Sequence, residues 1–160
     1  MTDQQIRPAT LNDLHAISHI EDESFPNPYP RILIEKLIRD NPDTFLVAVD
    51  HSKKVMGYCI VSMDGAFAHL ISIAVKQNNR RKGIATALLK EQLAYLEEHD
   101  VKGFWLEVSA KNTEAIDLYL KLGFTAAETI QSYYSDGSAA LRMRIILPEE
   151  TGRLIEKGPL

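Results

Sequence analysis

The segment from Ala66 to Ser109 constrains the fold more than any other part of the chain. It opens with AFAHLISIAV (66–75), an apolar run that predicts a strand. In residues 83–98, Ile84, Leu88, Leu89, Leu93 and Leu96 then recur at helical spacing, with Lys90, Glu91, Glu97 and Glu98 on the other side. GFWLEVS (103–109) closes the segment as a short buried strand. Strand, helix and strand in that order make a crossover unit, which sets the two strands parallel. A chain built around such a unit is committed to a layered α/β architecture.

The flanks complete it. Residues 4–8 predict a short strand, and Thr10 suits an N-cap for a helix with Leu11, Leu14, Ile17 and Ile20 on one side. The prolines of FPNPYP (25–30) end that helix, and a second over about 31–40 holds Leu33, Leu37 and Ile38. TFLVAVD (44–50) and VMGYCIVSM (55–63), joined by a polar turn at His51–Lys54, form an antiparallel meander with 66–75. After the crossover, Asn112 caps a helix with Ala115, Leu118, Tyr119 and Leu122 on one face and Gly123 as its stop. FTAAETIQSYY and AALRMRIIL then pair as a hairpin through Ser135-Asp136-Gly137-Ser138. The expectation is a single α/β domain over 1–148 with a polar tail at 149–160. Its mixed sheet has about seven strands and is flanked by about four helices.

Composition narrows the function. At 45% hydrophobic and 25% charged, the chain of 160 residues is globular and long enough for a core. A net charge of −4 argues against general nucleic-acid binding, which needs a basic face. The lone cysteine, Cys59, allows neither an intrachain disulfide nor a cysteine metal cluster, and its apolar strand places it in the core. No apolar run approaches the roughly 20 residues of a membrane span, and the start MTDQQIRPAT is polar. A soluble, cytoplasmic protein with no membrane partner and no metal is expected.

Against this acidic background, Arg80, Arg81 and Lys82 stand together where the crossover helix begins, with Gly83 behind them. A helix N-terminus carries unpaired N–H groups and partial positive charge, so it binds phosphate. Gly83 removes the side chain that would hold a phosphate off the backbone. The set suits a pyrophosphate cradle, with a basic solvated turn as the plain alternative. Its spacing fits neither the triphosphate P-loop nor the dinucleotide glycine motif.

Arg80-x-x-Gly83-x-Ala85 matches the acetyl-CoA motif [RQ]-x-x-G-x-[GA] of the GNAT N-acetyltransferases. IAVKQNNRRKGIATALL, LEVSAKNTEAIDLYLKLGF and YYSDGSAALRM resemble the RimI-like protein N-terminal acetyltransferases, including their archaeal branch. RPATLNDLHAI and FPNPYP fit the same group, so the resemblance runs over roughly residues 6–147. It implies acetyl-CoA as donor and the α-amino group of a protein or peptide N-terminus as acceptor, joined by direct attack in a ternary complex. It implies pantetheine along Ile73, Ala74 and Val75, and pyrophosphate on the N–H groups of Arg81, Lys82, Gly83, Ile84, Ala85 and Thr86. Asn112 then contacts the cofactor and Tyr119 lies near its sulfur, although Asn112 is also a plain helix cap.

Glu107 is the only charge in FWLEVS, where a carboxylate costs free energy unless it is paired or functional. It is the candidate base, with a structural carboxylate as the alternative. His69 either shares that role through water or is a core histidine, and Tyr119 is either the acid or core. The acceptor groove is expected between the first loop (Phe25, Pro26, Tyr29) and the last hairpin (Tyr133, Tyr134). The chain departs from the group at Ser109, where arginine is usual, and at Ser138 and Ala139, where acidic residues are frequent. Asn27 stands where some relatives carry glutamate. These departures leave open which N-termini are accepted. The same fold acting on a small amine or a lysine side chain is the alternative, and a non-catalytic acyl-CoA sensor is a third.

Overall fold

The computed structural model describes residues 4–147, so the tail 149–160 lies outside the described residues. In chain order the elements are β1 (Gln5–Pro8), α1 (Leu14–Ser24), α2 (Arg31–Asp40), β2 (Phe45–Val49), β3 (Val55–Asp64) and β4 (Phe67–Val75). There follow α3 (Ile84–Glu98), β5 (Gly103–Ser109), α4 (Thr113–Lys121), β6 (Thr125–Ile130) and β7 (Ala140–Ile146). The seven strands form one sheet in the order β1-β2-β3-β4-β5-β7-β6. β4 and β5 run parallel from Phe67↔Gly103 to His69↔Trp105, as the crossover requires. The β1/β2, β2/β3, β5/β7 and β6/β7 pairs are antiparallel. The fold is therefore the expected mixed sheet with four α-helices. The described residues divide into two compact units, one up to Ser62 plus Ile71–Leu93, the other Met63–Leu70 plus those from Ala94 to Leu147.

In the first unit, Ile17 and Ile20 of α1, Ile34 and Ile38 of α2, and Phe45, Val47, Tyr58 and Ile60 of the strands form the core. Every residue of β2 is buried, which explains its unbroken apolar run. The first helix starts later than its periodicity suggests. Residues Leu11–Asp13 wind as a 3₁₀ turn, which shifts Leu11 off the α-helical stripe and leaves it 44% exposed. Asp13 accepts the Thr10 N–H at 2.8 Å and the Arg7 guanidinium at 2.8 and 3.0 Å. Burial pushes the Asp13 carboxyl up, but Arg7 and the Thr10 N–H hold it below its ordinary value. On α2 the buried residues are Ile34 and the expected Ile38, while Leu33 is only half-buried. Gln92 of α3, fully buried, donates to the carbonyls of Thr44 (2.7 Å) and Cys59 (3.4 Å). Cys59 is a core residue, and burial pushes its thiol up to about 12.

In the second unit, β5 buries Phe104, Leu106 and Val108 and turns Trp105, Glu107 and Ser109 to the other face. The Phe124 ring packs on Phe104 at 5.4 Å and on Tyr119 at 5.7 Å. The last hairpin is looser than expected. β6 ends at Ile130, and Tyr133 and Tyr134 lie in the 131–139 connection instead of a strand. Ser132 turns left-handed at φ 53°, which a continuing strand does not accommodate. The N–H groups of both tyrosines then donate to the Ser138 carbonyl at 3.1 Å.

Candidate active site

The basic cluster lies in the first unit. After β4 a 3₁₀ turn, Gln77–Asn79, leads into Arg80–Gly83 and then α3. Arg81 and Gly83 both take left-handed backbone angles, at φ 63° and 79°. The α3 ladder begins with the Ala87 N–H bonding to the Gly83 carbonyl at 3.0 Å. The N–H groups from Gly83 to Thr86 therefore precede the ladder and have no acceptor within the helix. Ile84, buried at 2% exposure, anchors this turn. A Cβ built on Gly83 meets no protein atom within 4 Å. A side chain there would fill open space in front of the helix end, which is the shape a phosphate cradle needs, so these residues fit a pyrophosphate. Arg81 and Lys82 are exposed beside it. Arg80 is committed differently. Its Nε donates to the Val75 carbonyl at 3.0 Å, and its terminal nitrogen reaches Ser24 Oγ at 3.4 Å. Its charge thus ties the end of β4 to α1. Ile73, Ala74 and Val75 are the last three residues of β4, beyond those that pair with β5.

The candidate base lies in the second unit, among side chains drawn from three strands and the 131–139 connection. The Glu107 side chain is 8% exposed. Its Oε1 lies 2.9 Å from His69 Nε2 and accepts the Tyr133 hydroxyl at 3.4 Å. Its Oε2 accepts Arg142 Nε at 3.2 Å. The cost of a carboxylate in an apolar strand is thus offset by a guanidinium opposite, since Glu107 and Arg142 are register partners. His69 stacks on Trp105 at 3.8 Å with the rings 10° from parallel. Neither Arg142 nor Trp105 was identifiable as part of this site from the sequence. The alternation in LRMRII sets Arg142 on one face, but its partner depends on a pairing that local pattern leaves unspecified.

The remaining candidates are placed as follows. Tyr119 is buried against Phe124. Asn112 is exposed and its Oδ1 accepts the Ala115 N–H at 3.1 Å, so it fills the capping role. Phe25 and Tyr29 pack on the core of the first unit, while Pro26 is exposed. Tyr133 and Tyr134 belong to the second unit and meet edge to face at 4.9 Å. Burial, with Tyr133 and Glu107 nearby, raises the Tyr134 hydroxyl above its ordinary value.

A second buried carboxylate was not anticipated. Glu21 of α1 is 2% exposed. It accepts the Tyr29 N–H at 2.9 Å, the Ser72 hydroxyl at 3.4 Å and a short bond from the Tyr58 hydroxyl. Burial and this carboxylate push the Tyr58 phenol well above its usual range. Glu21 thereby fastens the Pro-rich loop to β3 and β4.

Residues 14–124 match the model of the Acetyltransferase (GNAT) family. The chain belongs to that family. The resemblance to this family read from the sequence is thus borne out, as is the assignment to acyltransferases. An uncharacterized N-acetyltransferase of Methanocaldococcus jannaschii is 37% identical over 151 residues, covering 94% of this chain and 96% of the relative. An N-alpha-acetyltransferase of Sulfurisphaera tokodaii is 32% identical over 152 residues, covering 87% and 90%. The crystal structure of Ard1 from Thermoplasma volcanium superposes with a TM-score of 0.87 at 31% identity, covering 92% of this GNAT chain and all of that one. Among the described residues, no helix is long and apolar enough to cross a membrane. No group of three or more His, Cys, Asp or Glu side chains among them is arranged to hold a metal ion.

Proposed function

We propose that this GNAT chain transfers an acetyl group from acetyl-CoA to the α-amino group of a protein or peptide N-terminus. The observation that carries the proposal is the Glu107–His69 pair, a buried carboxylate 2.9 Å from a part-exposed imidazole. Such a pair accepts one proton from an ammonium group. The substrate class follows from how small that task is. An α-ammonium of pKa about 7.7–8.0 is neutral in roughly one molecule in seven at pH 7, a lysine near 10.4 in about one in a few thousand. Relatives above 30% identity that carry the name N-alpha-acetyltransferase support the same acceptor.

Acetyl-CoA, when bound, supplies an activated thioester carbonyl for direct attack by the neutral amine. The N–H groups from Arg81 to Thr86 would hold its pyrophosphate, Ile73, Ala74 and Val75 would offer backbone to the pantetheine arm, and Asn112 would give a further contact. Tyr119 would be the residue to protonate the thiolate that leaves when the amine displaces it. No covalent enzyme intermediate is needed, and Cys59, buried with a raised thiol pKa, is unsuited to forming one. Phe25, Pro26 and Tyr29 of the first unit, and Tyr133 and Tyr134 of the second, are the residues this reading assigns to the first residues of an extended peptide. A cytoplasmic setting goes with this reading.

The test is a panel. Purified protein and acetyl-CoA are offered peptides varying in their first two residues, with free lysine and polyamines alongside, and acetylation is read by mass. Modification at peptide α-amines well above the other acceptors is expected. Preference for lysine or a polyamine would replace the proposal with the small-amine activity.

A further inference from the structure

We propose that Arg142 is a positioning residue of the acetyl-transfer site, acting through Glu107 to fix the tautomer and orientation of His69. This rests on the role proposed above for the Glu107–His69 pair. A row of four charged or titratable side chains crosses four strands of the second unit. Glu128 of β6 stands opposite Arg142 of β7, which stands opposite Glu107 of β5. His69 of β4 stands opposite Trp105, two residues before Glu107 on the same face. The contacts follow that order. Arg142 Nη1 donates to Glu128 Oε1 at 2.6 Å and Arg142 Nε to Glu107 Oε2 at 3.2 Å, while Glu107 Oε1 meets His69 Nε2 at 2.9 Å. The guanidinium also lies 5.0 Å over the Trp105 ring, on which His69 stacks at 3.8 Å.

Three physical consequences follow. A free carboxylate turns readily about its last torsion, because sp³–sp² torsions are broad. With Oε2 held by Arg142, Oε1 is left aimed at His69 and Tyr133. The guanidinium is itself held by Glu128 on one edge and Trp105 beneath, so it is a fixed donor rather than a mobile one. Finally, a carboxylate bound to guanidinium only accepts hydrogen bonds. His69 Nε2 must then carry the hydrogen, and Nδ1 is left with the lone pair that takes a proton. The other groups near the carboxylate are the phenols Tyr133 and Tyr134, with Arg144 further along β7. None of them supplies a second fixed cation to Glu107 among the described contacts.

The experiment compares Arg142→Met, which keeps an unbranched side chain without the charge, with Arg142→Lys. Acetylation kinetics and the ¹⁵N shifts of the His69 ring are measured on each folded protein. Arg142→Met is expected to lower kcat roughly 10- to 100-fold, the range seen when an outer partner of a functional histidine is removed. The KM for acetyl-CoA should stay within about twofold. Its ring nitrogens should report a mixture of tautomers where the native protein reports Nε2–H. Arg142→Lys, which keeps the cation, should recover much of kcat and of the single tautomer, and it carries the test should Arg142→Met not fold. Native kcat in Arg142→Met, or an unchanged tautomer despite a fall in kcat, would overturn the proposal. If the native protein acetylated no peptide, the function above would fail, while the ring shifts would still show whether Arg142 fixes the imidazole.

Discussion

Gly83 offers the cleanest test of the cradle because the chain contains its own control. Gly83 and Gly65 both sit at left-handed backbone angles, φ 79° and 61°, and a Cβ at either meets no protein atom within 4 Å. An alanine at either position therefore meets no clash and bears only the left-handed backbone penalty, about 1–2 kcal/mol. For a chain of this size each kcal/mol lowers Tm by about 2–4 °C, so both variants should melt about 2–8 °C early and remain folded at room temperature. Their acetyl-CoA affinities should separate. At Gly83 the methyl group occupies the space before the α3 N–H groups and removes at least one charge-assisted bond to phosphate, worth about 1.5–3 kcal/mol. At about 1.4 kcal/mol per tenfold, that is a Kd roughly 10- to 150-fold weaker. Gly65→Ala should bind like the native protein, and Gly83→Val should do worse than Gly83→Ala. Isothermal calorimetry on the three variants decides it. If Gly83→Ala weakened binding no more than Gly65→Ala, the glycine would be serving the turn alone and the phosphate would bind elsewhere.

Glu107→Gln should leave acetyl-CoA binding intact and lower kcat by roughly 10²–10⁴, the usual contribution of general-base catalysis, here by the Glu107–His69 pair; native kcat across neutral pH would remove Glu107 from the chemistry. Tyr134→Phe should lower kcat/KM for peptides by an amount equivalent to about 0.5–1.5 kcal/mol while sparing small amines, and equal losses on both would assign the hydroxyl to the fold. Asp13 sets a pH dependence of stability. Its folded-state pKa is depressed, so its contribution is present at neutral pH and lost as pH falls through the folded value. Urea titrations from neutrality to below the ordinary carboxylate range should show that loss, and Arg7→Met should flatten it; identical curves would mean that the pair contributes nothing.

Local patterns were enough for most of the architecture. The crossover, the antiparallel β2–β3 pair and the Asn112 cap each follow from patterning along the chain, and each appears where it was expected. The failures share a cause in longer range. Leu11 looked like part of the first helix because 3₁₀ and α-helical periods cannot be distinguished over three residues. Tyr133 and Tyr134 looked like strand because nothing in SYYS announces the left-handed turn at Ser132. In the site, Glu107 drew attention as a lone charge in an apolar strand, yet its partner Arg142 is 35 positions away. That pairing depends on the register of β7 against β5, and the opposition of Glu128 depends on an irregularity between Ala126 and Glu128. The Glu21 cluster was hidden for the same reason, since its donors come from a loop, β3 and β4.

The Glu21 arrangement also restricts the order in which this protein can change. Losing the Tyr58 hydroxyl first, as in Tyr58→Phe, deprives a buried carboxyl group of one of its hydrogen bonds. Losing Glu21 first, to an apolar residue, leaves two hydroxyls and an N–H with weaker needs than a buried carboxyl group has. The two substitutions made together can therefore cost less than their separate effects imply, and the accessible route begins at position 21. A lineage that remodels the Pro-rich loop would meet this asymmetry as a one-way gate. Loop variants would accumulate while Glu21 stays, or the whole hydrogen-bonded set would be replaced with position 21 leading.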